Sequence, residues 1–273
     1  MPELPEVETV CRGLAAHITG STITHVDVRR RDLRTKLPDR LEKAITGKKV
    51  LKIDRRAKYV LIHLQGGEVL IVHLGMSGNL ILYDRMPEPL RKHDHVLVMF
   101  KPFKLMVFND ARRFGLMELA TEKTLESHKL FAGLGPEPFD PVLDKEFYEI
   151  LQGSKAPIKS VIMDQRKIVG VGNIYACEAL FRSHIHPERP AHTVTKKEAG
   201  LLLTSIRQVL EEAIESGGST LRDYVRSSGD AGYFQHHFSV YGRKGEPCVV
   251  CKTPVSILRQ SGRSTFFCAK CQK

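Results

Sequence analysis

The stretch LGPEPFDP, residues 134–141, decides how this 273-residue chain folds. With three prolines in eight positions it can continue neither a helix nor a central strand, so it reads as a joint. Upstream of it run ITHVDV, KKVLKI, KYVLIHL, EVLIVHL, NLILYD, HVLVMF, KLMVFND and GLMELA. These are short apolar or alternating segments separated by Gly, Pro and charged turns, the pattern of a β-sandwich or barrel. A helical stripe precedes them over residues 5–19 (Val7, Val10, Cys11, Leu14, Ala15, Ile18). Glu6 and Glu8 stand in its first turn, where the helix dipole favours anions. Downstream, helical periodicity takes over at 144–153, 157–165, 173–183 and 196–216, and a last predicted strand, HFSVYG, leads into a cysteine-rich end. The expected fold is α+β with two domains. Its parts are an N-terminal β-sandwich carrying an N-terminal helix (1–133), a linker (134–150), a helical domain (151–240) and a zinc-held hairpin (241–273).

The zinc assignment comes from spacing. Cys248, Cys251, Cys268 and Cys271 form C-x2-C-x16-C-x2-C, and each C-x-x-C turn presents two thiolates to one tetrahedral ion. Between the pairs, two strand-like runs flank Gln260-Ser261-Gly262-Arg263, a hairpin with an arginine at its tip. A module this small is held by its metal. An arginine there fits a nucleic-acid groove and fits equally a structural ribbon with a solvated side chain. Cys11 and Cys177 sit among apolar residues and read as buried, reduced thiols.

Charge narrows the partner. Lys plus Arg number 42 against 31 Asp plus Glu, a net +11 that points first to nucleic acid and second to an acidic membrane surface. No segment approaches the ~20 apolar residues that span a bilayer, and none resembles a secretory leader, so a cytoplasmic protein is expected.

Three further stretches carry chemistry. In NDARRFG (109–115) two arginines flank an aromatic at a turn, a combination that can enter a base stack while bonding a base edge; the plainer reading buries Phe114 and solvates the arginines. In VGVGNIYA (169–176) Asn173 is placed to cap the following helix, whose amides can bind phosphate. The opening MPELPEVE makes Pro2 a free secondary amine once Met1 is removed, able to attack an aldehyde-like carbon and form an iminium. Glu3 and Glu6 would stand close to that amine. The plainer reading is that Pro2 and Pro5 merely start a helix.

Taken in order, MPELPEVETV, RRAKYV (55–60), HLGMSG (73–78), KHDH (92–95), NDARRFG, LGPEP, GVGNIYACEALF, GGST (217–220), VYGRKGEPC and GRSTFFCAKCQK resemble the successive motifs of bacterial formamidopyrimidine-DNA glycosylases. The resemblance runs essentially end to end. It implies a sandwich followed by a helix–two-turn–helix domain and a zinc finger, acting as a single chain on double-stranded DNA that contains oxidised purines. It implies Pro2 as Schiff-base nucleophile, Glu3 as proton donor, Lys58 as the acid of β-elimination and Arg263 as the arginine of δ-elimination. His93, Arg112, Lys155 and Asn173 fall where the family binds DNA. Met76, Arg112 and Phe114 match the residues that fill the gap left by an extruded nucleotide. The loop around Leu221–Val225 resembles the one that closes over the flipped base. One departure is Lys252, after Cys251, where many relatives have Gly.

Three competing functions are set against this one, and a zinc-ribbon transcription factor among them would leave the whole β domain unexplained. A sister class removes oxidised pyrimidines, but PELPEV and the Met76, Arg112 and Phe114 set favour purines. A non-catalytic lesion-binding protein would have no need of Pro2, Glu3 and Lys58 together.

Overall fold

The computed structural model describes residues 2–218 and 238–273, and the described chain forms two compact units. The first holds residues 2–132 with 216–218; the second holds 133–215 with the segment from 238 onward.

The first unit is a sandwich of two four-stranded antiparallel sheets. Helix α1 (Leu4–Ile18) opens it, followed by β1 (Thr22–Val28) and a short helix α2 (Leu41–Ile45). Strands β2 (Val50–Arg56), β3 (Tyr59–Leu64), β4 (Glu68–His73), β5 (Gly78–Tyr83), β6 (Asp94–Lys101), β7 (Lys104–Asp110) and β8 (Leu116–Thr121) complete it. One sheet runs β1-β6-β7-β5 and the other β2-β3-β4-β8. Alternation sets the register. In β6, Val96, Val98 and Phe100 face the shared core with Val60, Ile62 and Leu64 of β3, while Leu97 joins Leu105 and Val107 of β7 in a separate outer cluster. The buried stripe of α1 (Val7, Val10, Cys11, Leu14, Ile18) seals the same core. All eight strands predicted upstream of the 134–141 joint are present.

The second unit holds α3 (Val142–Gln152), α4 (Ile158–Ile162), α5 (Asn173–Arg182), α6 (Lys196–Glu215) and the hairpin β9 (Ser256–Gln260) and β10 (Arg263–Phe267). LGPEPFDP is not helical, and α3 starts at Val142, inside the 134–150 stretch set aside as a linker. Helix α6 packs on α3 and α5. Cys177 and Phe181 of α5 share a core with Val240, Cys248, Val255 and Cys268, so the cysteine module is fastened to α5 through apolar contact.

The expected strand HFSVYG does not form over its described residues, 238–242. The amides of Ser239, Val240 and Tyr241 all donate to the carboxylate of Glu178, at 2.8, 3.0 and 2.8 Å. A buried anion takes the donors that a neighbouring strand would have bonded. Among the described residues no helix is long and apolar enough to cross a membrane.

Candidate functional site

The start of α1 is over-determined. Glu3 is the N-cap; its amide donates to Glu6 Oε2 at 2.9 Å while its carboxylate accepts the Glu6 amide, a reciprocal capping box. Pro5 in the first turn removes a donor the helix cannot use. Pro2 therefore precedes a residue whose backbone is held from both sides. Pro2 is buried, and Glu3 and Glu6 are only 3% and 2% exposed. Gly218, at φ +81°, lies so close to Glu6 that a Cβ would come within 3.3 Å of its Cγ and Oε1.

Lys58 lies in the two-residue turn between β2 and β3, closed by the Arg56–Tyr59 pair. It is buried, and its neighbour Ala57 takes φ 53°, a conformation hairpin turns usually give to glycine. Arg55 ties this turn to α1: Nη1 donates to the Ala57 carbonyl at 2.9 Å and Nε to Glu8 Oε2 at 3.0 Å. Across the sheet from Tyr59 stands His73, its Nδ1 accepting the Gly75 amide at 3.0 Å. Burial, then the charges of Lys58 and Arg34, push the His73 pKa down to about 4, so the ring is neutral at pH 7.

Met76, Arg112 and Phe114 come together on two loops locked back to back. At Gly75, φ +65°, a Cβ would meet the Phe114 carbonyl carbon at 2.3 Å, so only glycine permits this approach. Buried Asp110 binds both loops, accepting from Ser77 Oγ at 2.6 Å, the Gly115 amide at 2.8 Å and the Arg112 amide at 3.3 Å. The two adjacent arginines separate in role. Arg113 is ion-paired with Asp32 at 2.9 Å, whereas the exposed Arg112 guanidinium lies 4.9 Å from the centroid of the Phe114 ring. Phe114 is 45% exposed, which removes the reading of it as core. His93 sits just ahead of β6 at the same end of the sheet; its carbonyl accepts the Asp110 amide at 3.0 Å.

The second unit carries the remaining predicted residues. Lys155 is exposed between α3 and α4, and Arg263 is exposed at the first position of β10. Asn173 is not the cap of α5; Gly172 is, and Asn173 occupies the first helical position. Its side chain instead accepts from Lys159 Nζ at 2.6 Å and donates to the Ser264 carbonyl at 2.9 Å. Lys159, 2% exposed, also donates to Thr265 Oγ1 at 2.6 Å. A buried ammonium thus stitches α4, α5 and the hairpin together next to Arg263. Lys159, Gln260, Ser261 and Arg263 line a cavity of about 210 Å³ there. The turn Ser261–Gly262 has φ 48° and 78°, a two-residue hairpin turn.

The four cysteine Sγ atoms all lie within 4.8 Å of one another. Cys248 and Cys271 are 3.9 Å apart, Cys251 and Cys268 3.4 Å, against the roughly 3.8 Å edge that four Zn–S bonds of ~2.3 Å give a tetrahedron. The donor set fits one structural zinc ion. Lys252, the departure from glycine, holds φ 64° in this knuckle.

Residues that sequence reasoning missed are those that hold the others: Asp110, Arg55, Lys159 and Glu178. Each carries a charge inside a motif already singled out or beside one, and that was the available signal. The loop around Leu221–Val225 lies outside the described residues.

The chain matches the formamidopyrimidine-DNA glycosylase N-terminal domain over residues 1–117, the H2TH domain of the same proteins over 134–225, and the zinc finger found in FPG and IleRS over 245–273. It is 48% identical over 290 residues to the formamidopyrimidine-DNA glycosylase of Rhodospirillum centenum and 47% over 285 residues to that of a Cereibacter sphaeroides strain. Both alignments cover 100% of each chain. Its structure is similar to Lactococcus lactis Fpg in complex with DNA containing N7-benzyl-Fapy-dG, with TM-score 0.91, 35% identity and 100% of both chains covered. The same Lactococcus enzyme bound to DNA with an oxidised pyrimidine matches at TM-score 0.90, again with 35% identity and full coverage of both chains.

Proposed function

The chain belongs to the formamidopyrimidine-DNA glycosylase family, and on that premise we propose a bifunctional DNA glycosylase and AP lyase of base excision repair. Its substrates are 8-oxoguanine and formamidopyrimidines in duplex DNA, met in the bacterial cytoplasm. The observation that carries this reading is the buried capping box that holds Pro2 at the mouth of α1 with two carboxylates beside it. A nucleophile on a loose terminus would lose most of the advantage of proximity. Burial also favours the neutral, nucleophilic form of an amine.

With Met1 removed, the Pro2 nitrogen attacks C1′ of the damaged nucleotide as Glu3 supplies the proton that opens the sugar. The base leaves, and the sugar stays attached as an iminium. That cation acidifies the C2′ proton; its loss expels the 3′ phosphate, with Lys58 as the acid of this β-elimination. Arg263 assists the second elimination, of the 5′ phosphate. Glu6 positions Glu3 through the capping box. Extrusion of the nucleotide costs a few kcal/mol of stacking and pairing. Met76 and Phe114 fill the hole and Arg112 bonds the orphaned partner base, while His93, Lys155 and Asn173 hold phosphates. Zinc supplies no chemistry in this scheme; Cys248, Cys251, Cys268 and Cys271 hold it, and it fixes the hairpin bearing Arg263.

Borohydride trapping on a duplex with 8-oxoguanine opposite cytosine tests the reading. A covalent adduct is expected with the mature protein, and none when an uncleavable tag precedes Pro2. Undiminished trapping by the tagged protein would exclude Pro2. Stronger trapping on an oxidised pyrimidine would move the enzyme to the sister class.

A further inference from the structure

The outer face of the β1-β6-β7-β5 sheet carries a pocket unconnected with the chemistry above. It measures about 400 Å³, toward the lower end of the ~300–1,000 Å³ typical of ligand pockets. Met86, Met99, Pro102, Phe103 and Leu105 form its apolar lining. It extends the outer apolar cluster of Leu97, Leu105 and Val107, against which Met99 also packs. Two large apolar side chains stand open at its mouth, Phe103 87% exposed and Met86 40%. Its rim is basic. Arg85 and Lys101 are exposed and make no ion pair among the described residues, and Lys104 is paired with Asp84.

Its position matters as much as its lining. The pocket gathers at the Tyr83–Leu105 end of the β5–β7 pair, whereas the loops of Met76, Arg112 and Phe114 leave from the Gly78–Asp110 end. Six steps of β7 separate Lys104 from Asp110, roughly 20 Å of extended strand. An occupant of the pocket and a duplex at the Arg112 loop therefore need not compete.

We propose that this pocket binds an acidic segment of a partner protein, taking an aromatic side chain between Met86, Met99 and Phe103 while flanking carboxylates meet Arg85 and Lys101. The lining selects the occupant. Methionines adapt to an aromatic ring and make favourable sulfur–ring contacts. Unpaired cations at the rim reward carboxylates and repel basic segments. An apolar hole with charged edges suits a side-chain anchor better than an intact DNA duplex, whose bases are stacked inside and which would present sugars and phosphates to it. Docking here would recruit the enzyme, or hand on its product, with the DNA-facing loops left open.

The test uses the mature, zinc-loaded protein with 13C-methyl methionine, which gives six reporters once Met1 is removed. The probe is the peptide Asp-Asp-Glu-Phe-Leu, beside Asp-Asp-Glu-Ala-Leu and Lys-Lys-Lys-Phe-Leu. The first peptide should shift the Met86 and Met99 methyls and leave Met76 in place; the other two should bind at least tenfold more weakly. Phe103→Ala and Lys101→Glu, both at exposed positions, should each weaken the first peptide at least fivefold with strand cleavage of lesion DNA unchanged. Equal binding of the lysine peptide, a shift at Met76, or no shift at millimolar peptide would overturn the proposal. So would Phe103-dependent binding to phosphatidylglycerol vesicles without peptide binding, which would make this face a membrane contact. The peptide-binding and methyl-shift readouts do not depend on the glycosylase reading; only the strand-cleavage control does.

Discussion

Replacing Asp110 with asparagine should separate base excision from strand cleavage. The Asp110 carboxylate is fully buried and holds both wedge loops, Oδ1 accepting from Ser77 Oγ at 2.6 Å and the Arg112 amide at 3.3 Å, and Oδ2 from the Gly115 amide at 2.8 Å. Asparagine keeps the shape but has one acceptor oxygen. With that oxygen toward Ser77 and Arg112, its NH2 group faces the Gly115 amide, donor against donor. The flipped amide spares Gly115 but takes the acceptor from the Ser77 hydroxyl, while the Arg112 amide keeps its 3.0 Å bond to Ser77 Oγ. Either way a charge-assisted bond worth about 1.5–3 kcal/mol is lost and a buried donor goes unpaired, at about 1–3 kcal/mol more. These terms overlap, so a net destabilisation of roughly 2–4 kcal/mol is expected, read by urea unfolding. The damage falls on the loops of Met76, Arg112 and Phe114 and leaves Pro2, Glu3 and Lys58 in place. Single-turnover excision of 8-oxoguanine should fall about 10–100-fold, the scale of an ångström's misplacement, with cleavage of a preformed abasic site much less affected. Parallel loss of both activities, or an unchanged unfolding midpoint, would refute the assignment of Asp110 to the loops.

Lys159→Met removes two charge-assisted bonds, so it should cost about 2–5 kcal/mol of stability and weaken duplex binding, measured by urea unfolding and anisotropy; wild-type values in both would show that the buried ammonium does not set the hairpin. Cys248→Ser should release zinc and lower DNA affinity while the sandwich unit keeps its fold, checked by metal analysis and circular dichroism; normal affinity in zinc-free protein would contradict it. His73 has a folded pKa of about 4 against about 6.5 unfolded. The unfolded chain then binds the extra proton, so stability is full above pH 6.5 and is lost as pH falls toward 4, by roughly 1–3 kcal/mol for this partly buried ring. His73→Asn should flatten that acid limb in unfolding measured from pH 7 to 4; an equally steep limb would remove His73 as its source. Arg112→Ala should slow excision from duplexes and erode a preference for cytosine opposite the lesion, worth about 1–3 kcal/mol if the contact is bidentate. Single-turnover rates against all four opposite bases decide this, and an unchanged preference would release Arg112 from the role.

What was legible in the sequence is what short-range periodicity encodes. Eight short apolar or alternating runs are bounded by turn residues, α1 carries a clean stripe, and the cysteine spacing determines its own geometry. The short helix α2 was not, because its two buried residues, Leu41 and Ile45, are too few to show a period. HFSVYG reads as a strand on composition, and only the fold brings Glu178 beneath its amides from 61–63 positions away. Asn173 reads as a cap for the same reason: its partners, Lys159 and Ser264, lie 14 and 91 positions off. Lys155 and Lys159 stand four residues apart and cannot be told apart in the sequence. One is exposed and the other buried against Asn173. The groups that hold the site are long-range partners, whereas the proposed reactive residues stand in local motifs.

That local character has a physical form in the backbone. Six described non-glycine residues hold positive φ: Ala57, Phe103, Arg113, His184, Lys252 and Ser261. Such a conformation costs an L-residue about 1–2 kcal/mol, and it persists only where the surroundings enforce it. Ala57 precedes Lys58, Arg113 stands between Arg112 and Phe114, Ser261 opens the turn before Arg263, and Lys252 closes the first cysteine knuckle. Phe103 forms the wall of the outer pocket. Only His184 has no part in a proposed site. A left-handed residue reverses the chain within two positions and so projects its neighbour away from the sheet or hairpin that carries it. The fold accepts strain at these points because that is how a rigid scaffold presents single side chains. Relief of that strain, as by glycine in place of Lys252, would ease the turn without supplying any new contact.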